Sequence, residues 1–335
     1  MTLPAVSVVV PVYNSEASLG LLAERLDAVR SGYTDLELIL VDDGSADGSW
    51  SEVTKLVDSL SWVRGIRLSR NYGQHNALLA GVREARNQVT VTMDDDLQHR
   101  PEDIALLVAA LSDGIDLVYG IAEDEEHSAW RNLTSRLAKA AMSSAVGADM
   151  ARKTSAFRAF HTHLRDAAQQ SHDPYVSLDV LLSWATTHVA AVTVSMDQRA
   201  FGQSNYTVRK LVRHAVNMTT GYSSSPLRLV SYLGFACSVL GVLIFGYVIV
   251  RFIIDDGSIP GFPFLASIIA LFSGAQMFAI GLLGEYLGRM HFRSMDRPPY
   301  VIRESIGVPP RRRSDDVKPQ RSDHGGGTEM RTTSK

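Results

Sequence analysis

Three consecutive carboxylates, Asp94-Asp95-Asp96, stand at the end of an apolar run, and Gln98 follows two residues later. Packed carboxylates repel one another unless a cation sits between them. An all-oxygen donor set favours a hard ion, Mg²⁺ or Mn²⁺, which can hold a diphosphate at the same time. If strand geometry persists through this run, Asp94 and Asp96 point the same way, and the Gln98 amide adds a further oxygen. Three more polar clusters occupy comparable places: Pro11-Val12-Tyr13-Asn14-Ser15-Glu16, Asp42-Asp43-Gly44-Ser45 and Ser69-Arg70-Asn71-Tyr72-Gly73. Each alone is compatible with ordinary turn and N-cap chemistry. Four in series, each after an apolar run, point to one shared ligand edge.

The elements that must position these clusters are legible. Runs rich in Val and Ile fall at 5–10, 37–41, 63–68, 89–93 and 117–119, with helical patterns between them at 18–30, 49–60, 74–85 and 101–111. Continuous apolar runs are typical of strands buried on both faces. The alternation predicts a βαβ series, hence an α/β domain with an open parallel sheet and helices on both sides. Ligands of such sheets bind beyond the carboxyl ends of the strands. No Gly-x-Gly-x-x-Gly follows the first run and no Gly-x-x-x-x-Gly-Lys-Ser/Thr occurs anywhere, which disfavours a dinucleotide site or a P-loop. A net charge of −3 over 335 residues argues against nucleic acid as a partner, and Cys237, the single cysteine, excludes an internal disulfide.

Hydrophobicity is unevenly placed. Residues 229–250 are 22 in a row without a charge, and 259–284 are 26 more. About 20 apolar residues suffice to cross a bilayer as a helix, so two transmembrane helices are predicted. Arg209, Lys210, Arg213 and Arg228 precede the first run, and Arg289, Arg293 and Arg297 follow the second. The short link between them carries Asp255 and Asp256. Positive charge stays inside, which places both termini and the N-terminal domain on the cytoplasmic side of the cell (inner) membrane. The expected organisation is a cytoplasmic domain over 1–225 with interfacial amphipathic helices, two spans over 226–290, a juxtamembrane segment over 291–303 and a disordered tail over 304–335.

With these motifs in hand, the chain resembles glycosyltransferase family 2, and within it the membrane-anchored polyprenyl-phosphate glycosyltransferases related to dolichol-phosphate mannose synthase and the bactoprenol glucosyltransferases. The resemblance rests on Val10-Pro11-Val12-Tyr13-Asn14, Leu40-Val41-Asp42-Asp43-Gly44-Ser45, Leu68-Ser69-Arg70-Asn71-Tyr72-Gly73-Gln74-His75 and Met93-Asp94-Asp95-Asp96-Leu97-Gln98. It continues through Gly284-Glu285-Tyr286-Leu287-Gly288-Arg289 and Arg297-Pro298-Pro299-Tyr300-Val301. The resemblance implies a GT-A-type nucleotide-binding open mixed sheet and a Mg²⁺- or Mn²⁺-dependent transfer. The donor would be a nucleotide sugar, by preference a UDP-sugar, and the acceptor a polyprenyl phosphate. It further implies that Pro11, Tyr13, Glu16 and Asp43 line the nucleotide pocket, that Asp94 sits between ribose and metal, and that Asp96 and Gln98 bind the metal. Arg199 and Ser204 are expected near the phosphates, with Lys210 opening the helix after them, and Arg136 is expected to meet the lipid phosphate. Glycine-rich spans and the same resemblance point to a homo-oligomer such as a tetramer, in contact with membrane lipid.

Two departures bear on mechanism. Family members often carry a basic stretch where this chain has Ala122-Glu123-Asp124-Glu125-Glu126, and an Asp-Phe-Arg where it has Ala156-Phe157-Arg158. A lipid monophosphate is already largely ionised near neutral pH and needs no general base, so Ala156 fits a phosphate nucleophile better than a sugar hydroxyl. A single displacement with inversion is expected. Two other readings compete: a processive polysaccharide synthase, whose Gln-x-x-Arg-Trp Gln198-Arg199-Ala200 does not complete, and a membrane-tethered nucleotide-sugar-binding partner without catalysis.

Overall fold

The computed structural model describes residues 2–111, 114–122, 153–169, 177–197, 225–254, 261–295 and 298–307. Among these, eight strands form one sheet in the order β7-β5-β6-β4-β1-β2-β3-β8. They are β1 Val6–Val12, β2 Leu36–Asp42, β3 Val63–Leu68, β4 Val89–Thr92, β5 Leu117–Ala122, β6 Arg158–His161, β7 Val189–Val194 and β8 Ile302–Ile306. The helices are α1 Glu16–Arg30, α2 Ser49–Ser59, α3 Gln74–Glu84, α4 Ile104–Ala110, α5 Arg165–Gln169, α6 Leu178–Ala185, α7 Ser225–Ile254 and α8 Phe262–Ser294. A single turn of 3-10 helix, Pro101–Asp103, leads into α4.

The first four strands obey the βαβ expectation. β1 pairs in parallel with both β2 and β4, and β2 with β3. Every residue of β1 and β2 is buried, because the period of two sends alternate side chains to opposite faces, each covered by helices. Val6, Val8 and Val10 pack with Leu19, Leu22 and Leu26 of α1 on one face. Val9, Ile39 and Val41 meet Ala77 and Leu78 of α3 on the other. α3 comes close because residue 81 is glycine: a Cβ there would run into Val9 Cγ1. Gly81→Ala is therefore expected to lower stability by about 1–3 kcal/mol through overpacking. Thermal unfolding of the two proteins side by side checks this.

The apolar pattern alone predicts a parallel sheet, the resemblance a mixed one, and two strands decide for the mixed sheet. β6 lies antiparallel between β4 and β5, and β8 is antiparallel to β3. The sheet is mixed. β8 also corrects the expected start of the tail at Glu304: residues 302–306 are ordered as a strand on the sheet edge. The physical reason is the unpaired edge of β3, which takes main-chain hydrogen bonds from any extended segment. Before β8, the Val301 carbonyl accepts the Ser69 N–H at 2.9 Å, and the Tyr300 hydroxyl meets Arg83 Nη1 at 3.2 Å.

α7 and α8 run for 30 and 33 residues and touch each other. Among the described residues no helix is long and apolar enough to cross a membrane. The expected interfacial helices lie at 130–142 and 208–220, outside the described residues, as does the tail beyond Gly307.

Candidate functional site

The order β4-β1-β2-β3 sets four adjacent carboxyl ends side by side. The polar clusters at 13–16, 42–45, 69–73 and 94–98 follow these ends, so one edge of the sheet gathers all four.

The loops are tied to one another by main-chain capping. Asn14, held at φ 54, accepts the Ala46 N–H on Oδ1 at 2.8 Å, and its own N–H donates to Ser45 Oγ at 3.0 Å. The Glu16 carboxylate accepts the Gly48 N–H at 3.1 Å. Asp42 Oδ1 accepts the Ser45 N–H at 3.0 Å, and Arg67 Nε faces its other oxygen at 3.3 Å. Asp43, 3 % exposed, takes the Tyr72 and Gly73 N–H groups at 2.7 and 2.8 Å. Burial pushes the Asp43 carboxyl up to about 6, against the pull of those two N–H groups. Gly44 sits where only glycine fits: its φ is +71, and a Cβ would lie 2.7 Å from the Arg70 carbonyl carbon. The sequence places Glu16 and Asp43 in the nucleotide pocket. The structure engages both in holding the loops of this edge together. Pro11 is buried in β1 opposite Val41, and Tyr13 projects outward, 47 % exposed.

The acidic turn does not continue the strand. β4 ends at Thr92, and Leu97 adopts φ 62. The expectation that Asp94 and Asp96 point together by strand geometry is corrected: a turn presents them. Asp96 Oδ1 accepts the Gln98 N–H at 3.1 Å, an Asx-type closure that outcompetes the extended form. Gln74 Nε2 donates to Asp94 Oδ1 at 2.6 Å. Desolvation pushes the Asp95 carboxyl up to about 6, with Asp94 and Asp96 adding repulsion, while hydrogen bonds from Ser15 and the Tyr13 backbone pull it down.

Among the described residues no group of three or more His, Cys, Asp or Glu is arranged to hold a metal by itself. Mg²⁺ characteristically takes one or two carboxylates and completes its shell with water and substrate phosphate. Two crowded carboxylates and a neighbouring amide on an open edge fit an ion shared with a diphosphate. They do not fit a closed structural site.

Several neighbours were not singled out by sequence reasoning. His99, 4 % exposed, stacks on Phe157 with centroids 5.1 Å apart, and its Nδ1 accepts the Asp94 N–H at 3.4 Å. Burial pushes its imidazole down to about 4, so it is neutral at physiological pH. Arg158, 2 % exposed, pairs with Asp179, whose Oδ1 also accepts the Tyr119 hydroxyl at 2.9 Å. The Arg158 charge lies close enough to Asp94 for the two to attract. Only the sequence position of His99, directly after the acidic turn, could have signalled its part; Asp179 joins from a helix 80 residues away. The expected acceptor-phosphate and catalytic residues Arg136, Arg199, Ser204 and Lys210 lie outside the described residues. Ala156 is described: its carbonyl accepts the Thr92 hydroxyl at 2.9 Å, which puts it beside the end of β4.

Comparison with known proteins adds to this geometry. The sequence model described as "Glycosyl transferase family 2" matches residues 7–168, and that described as "GtrB C-terminal hairpin" matches residues 225–290. An undecaprenyl-phosphate 4-deoxy-4-formamido-L-arabinose transferase of Proteus mirabilis is 36% identical over 309 residues, covering 90% of this chain and 94% of the relative. Its counterpart in Shewanella sediminis is 35% identical over 307 residues, covering 90% and 92%. Among solved structures, glucosyl-3-phosphoglycerate synthase from Mycobacterium tuberculosis is 18% identical with a TM-score of 0.46, over 65% of this chain and 76% of that one.

Proposed function

Since the chain belongs to glycosyl transferase family 2 and is a polyprenyl-phosphate glycosyltransferase, we propose that it moves one sugar from a UDP-sugar onto undecaprenyl phosphate, with inversion, at the cytoplasmic membrane face. The observation that carries the reading is the acidic turn at 94–98, lying among three other loops at the carboxyl edge of the sheet. The mixed α/β sheet agrees with the GT-A fold that the resemblance implies.

In this reading Asp94 and Asp96, with the Gln98 amide, hold Mg²⁺ or Mn²⁺. The ion would neutralise charge that builds on the departing nucleotide diphosphate. Pro11, Tyr13, Glu16 and Asp43 shape the nucleotide pocket, Tyr13 being exposed enough to lie along a base. Gln74 orients the Asp94 carboxylate through its 2.6 Å contact. The acceptor phosphate is ionised near neutral pH, so no side chain must remove a proton from it, and Ala156 beside the end of β4 supplies none. Arg136, Arg199, Ser204 and Lys210 are assigned to the two phosphates, where cations offset their mutual repulsion. Arg199 is placed with Asp94 and Asp96 among the catalytic residues.

We read α7 and α8 as membrane spans. The reading rests on the uncharged runs 229–250 and 259–284 of the sequence, since the described residues by themselves make no stretch long and apolar enough to span. The described side chains of the two helices include Tyr232, Phe235, Val242, Met277 and Leu287, all exposed, which suits lipid and not water. Both termini then lie on the cytoplasmic side, and homo-oligomers, a tetramer among them, would form through the glycine-bearing helices.

The test is direct. Full-length protein in detergent is mixed with Mn²⁺, undecaprenyl phosphate and radiolabelled nucleotide sugars, beginning with UDP-4-deoxy-4-formamido-L-arabinose. A labelled polyprenyl-phosphate sugar of inverted anomeric configuration is the expected product. No labelled lipid from any donor would reject the activity, and a retained configuration would reject the single displacement.

A further inference from the structure

The turn that carries Asp94, Asp96 and Gln98 is braced from two sides. The inner brace is His99, stacked on Phe157 and bound to the Asp94 N–H. The outer brace is the short strap at 195–197 that follows β7. Met196 pairs with His99 as an antiparallel bridge, the Asp197 N–H donates to the Gln98 carbonyl at 3.0 Å, and the Ser195 N–H donates to Asp103 Oδ2 at 3.2 Å. The Asp197 carboxylate then locks the strap. Its Oδ1 accepts from Arg100 Nε at 2.6 Å and from Arg100 Nη2, and its Oδ2 faces Arg25 Nη1 at 3.4 Å. Arg25 in turn grips Glu102 in a two-pronged contact, Nε to Oε1 at 3.2 Å and Nη2 to Oε2 at 2.8 Å. Helix α1, the turn before α4 and the end of β7 thus meet on one carboxylate.

This network is partly exposed, with 31 % of the Asp197 and 42 % of the Arg100 side chain open to solvent. Such pairs add little to stability, because water and salt screen them. What two-pronged arginine contacts supply is direction. The turn has a need for it. Leu97 is held at φ 62, a left-handed conformation that a non-glycine residue keeps only where its surroundings over-determine it. The residue just beyond Leu97, Gln98, is the one whose carbonyl the strap holds.

We propose that Asp197 is a positioning residue for the turn at 94–98: by fixing the strap to Arg100 and Arg25, it keeps Leu97 left-handed and so aims Asp96 and Gln98 at the ion and diphosphate. The inference rests on the reading of that turn given above. Asp197 acts through the turn, its contacts being with Gln98, Arg100 and Arg25.

Mn²⁺ binding to the full-length protein in detergent, followed by electron paramagnetic resonance in the presence of UDP, tests it. Asp197→Asn is expected to raise the half-saturating Mn²⁺ concentration about tenfold, the low end of what loss of a supporting contact costs a metal site. Excess Mn²⁺ should restore occupancy, and Asp197→Glu should stay near the parent. Amide hydrogen exchange at 94–100 should quicken in Asp197→Asn while that of β1 and β2 does not change. If Asp96→Ala loses Mn²⁺ and Asp197→Asn binds it as the parent does, the positioning role is overturned alone. If Asp96→Ala also binds Mn²⁺ as the parent does, the reading of the turn falls and this role with it. Faster exchange across the whole sheet would make Asp197 a residue of general stability and overturn the proposal too.

Discussion

Asp96→Asn is expected to lower sugar transfer about 10³-fold while leaving the melting temperature within about 2 °C of the parent. The substitution separates two things that Asp96 does. Its Oδ1 closes the turn by accepting the Gln98 N–H at 3.1 Å, and an asparagine oxygen can do the same. What asparagine lacks is the charge. If the turn holds a cation against a diphosphate, losing one of two carboxylate ligands removes charge stabilisation where negative charge gathers in the transition state. Asp96→Ala loses both functions, and transfer should fall at least as far. Initial rates with saturating donor, beside a thermal melt, decide the matter: near-normal transfer by Asp96→Asn would show that the turn does not carry the reaction.

The second large effect is on stability. Asp179→Ala is expected to cost about 3–5 kcal/mol, a fall of roughly 10 °C in melting temperature. Asp179 and Arg158 are both nearly inaccessible, at 3 % and 2 % exposed. Removing the carboxylate strands a guanidinium in a low-dielectric interior and takes away the acceptor of the Tyr119 hydroxyl as well. Removing the whole network should be much milder. The triple variant Arg158→Met, Asp179→Leu, Tyr119→Phe replaces it by apolar groups of similar volume and should recover most of the loss. A triple variant as unstable as Asp179→Ala would mean that cavity formation, not an unpaired charge, sets the cost. Transfer by the triple variant then reports separately on the Arg158 charge near Asp94.

How legible the fold was depends on the range over which each element is decided. β1 to β4 and the helices between them were readable because each is a local apolar run with its own turn residues. β6 was not: residues 158–161 offer a strand of four, and its antiparallel place depends on β4 and β5 being there already. The end of β8, residues 304–306, reads as the start of a tail because Arg303-Glu304-Ser305 is polar, yet a strand on an open edge needs main-chain partners more than apolar side chains. In the site, the acidic turn could be named from residue types alone. Its geometry could not, since Leu97 in a left-handed conformation breaks the strand that alternation extrapolates. Arg158, Asp179 and Tyr119 escaped notice because a buried ion pair across three elements leaves no periodic trace, and Asp197 because it joins Arg100 and Arg25 from the strap after β7, 97 and 172 positions away.

The return of the chain to the sheet as β8 bears on how the protein can be handled. A soluble fragment ending before α7 would discard not only the two long helices but also the strand that covers β3. The uncovered edge would present a row of unsatisfied N–H and C=O groups, a template on which copies can pair and precipitate. Any fragment meant to stay in solution therefore has to bring residues 298–307 along, rejoined to the catalytic part by a linker in place of the helices.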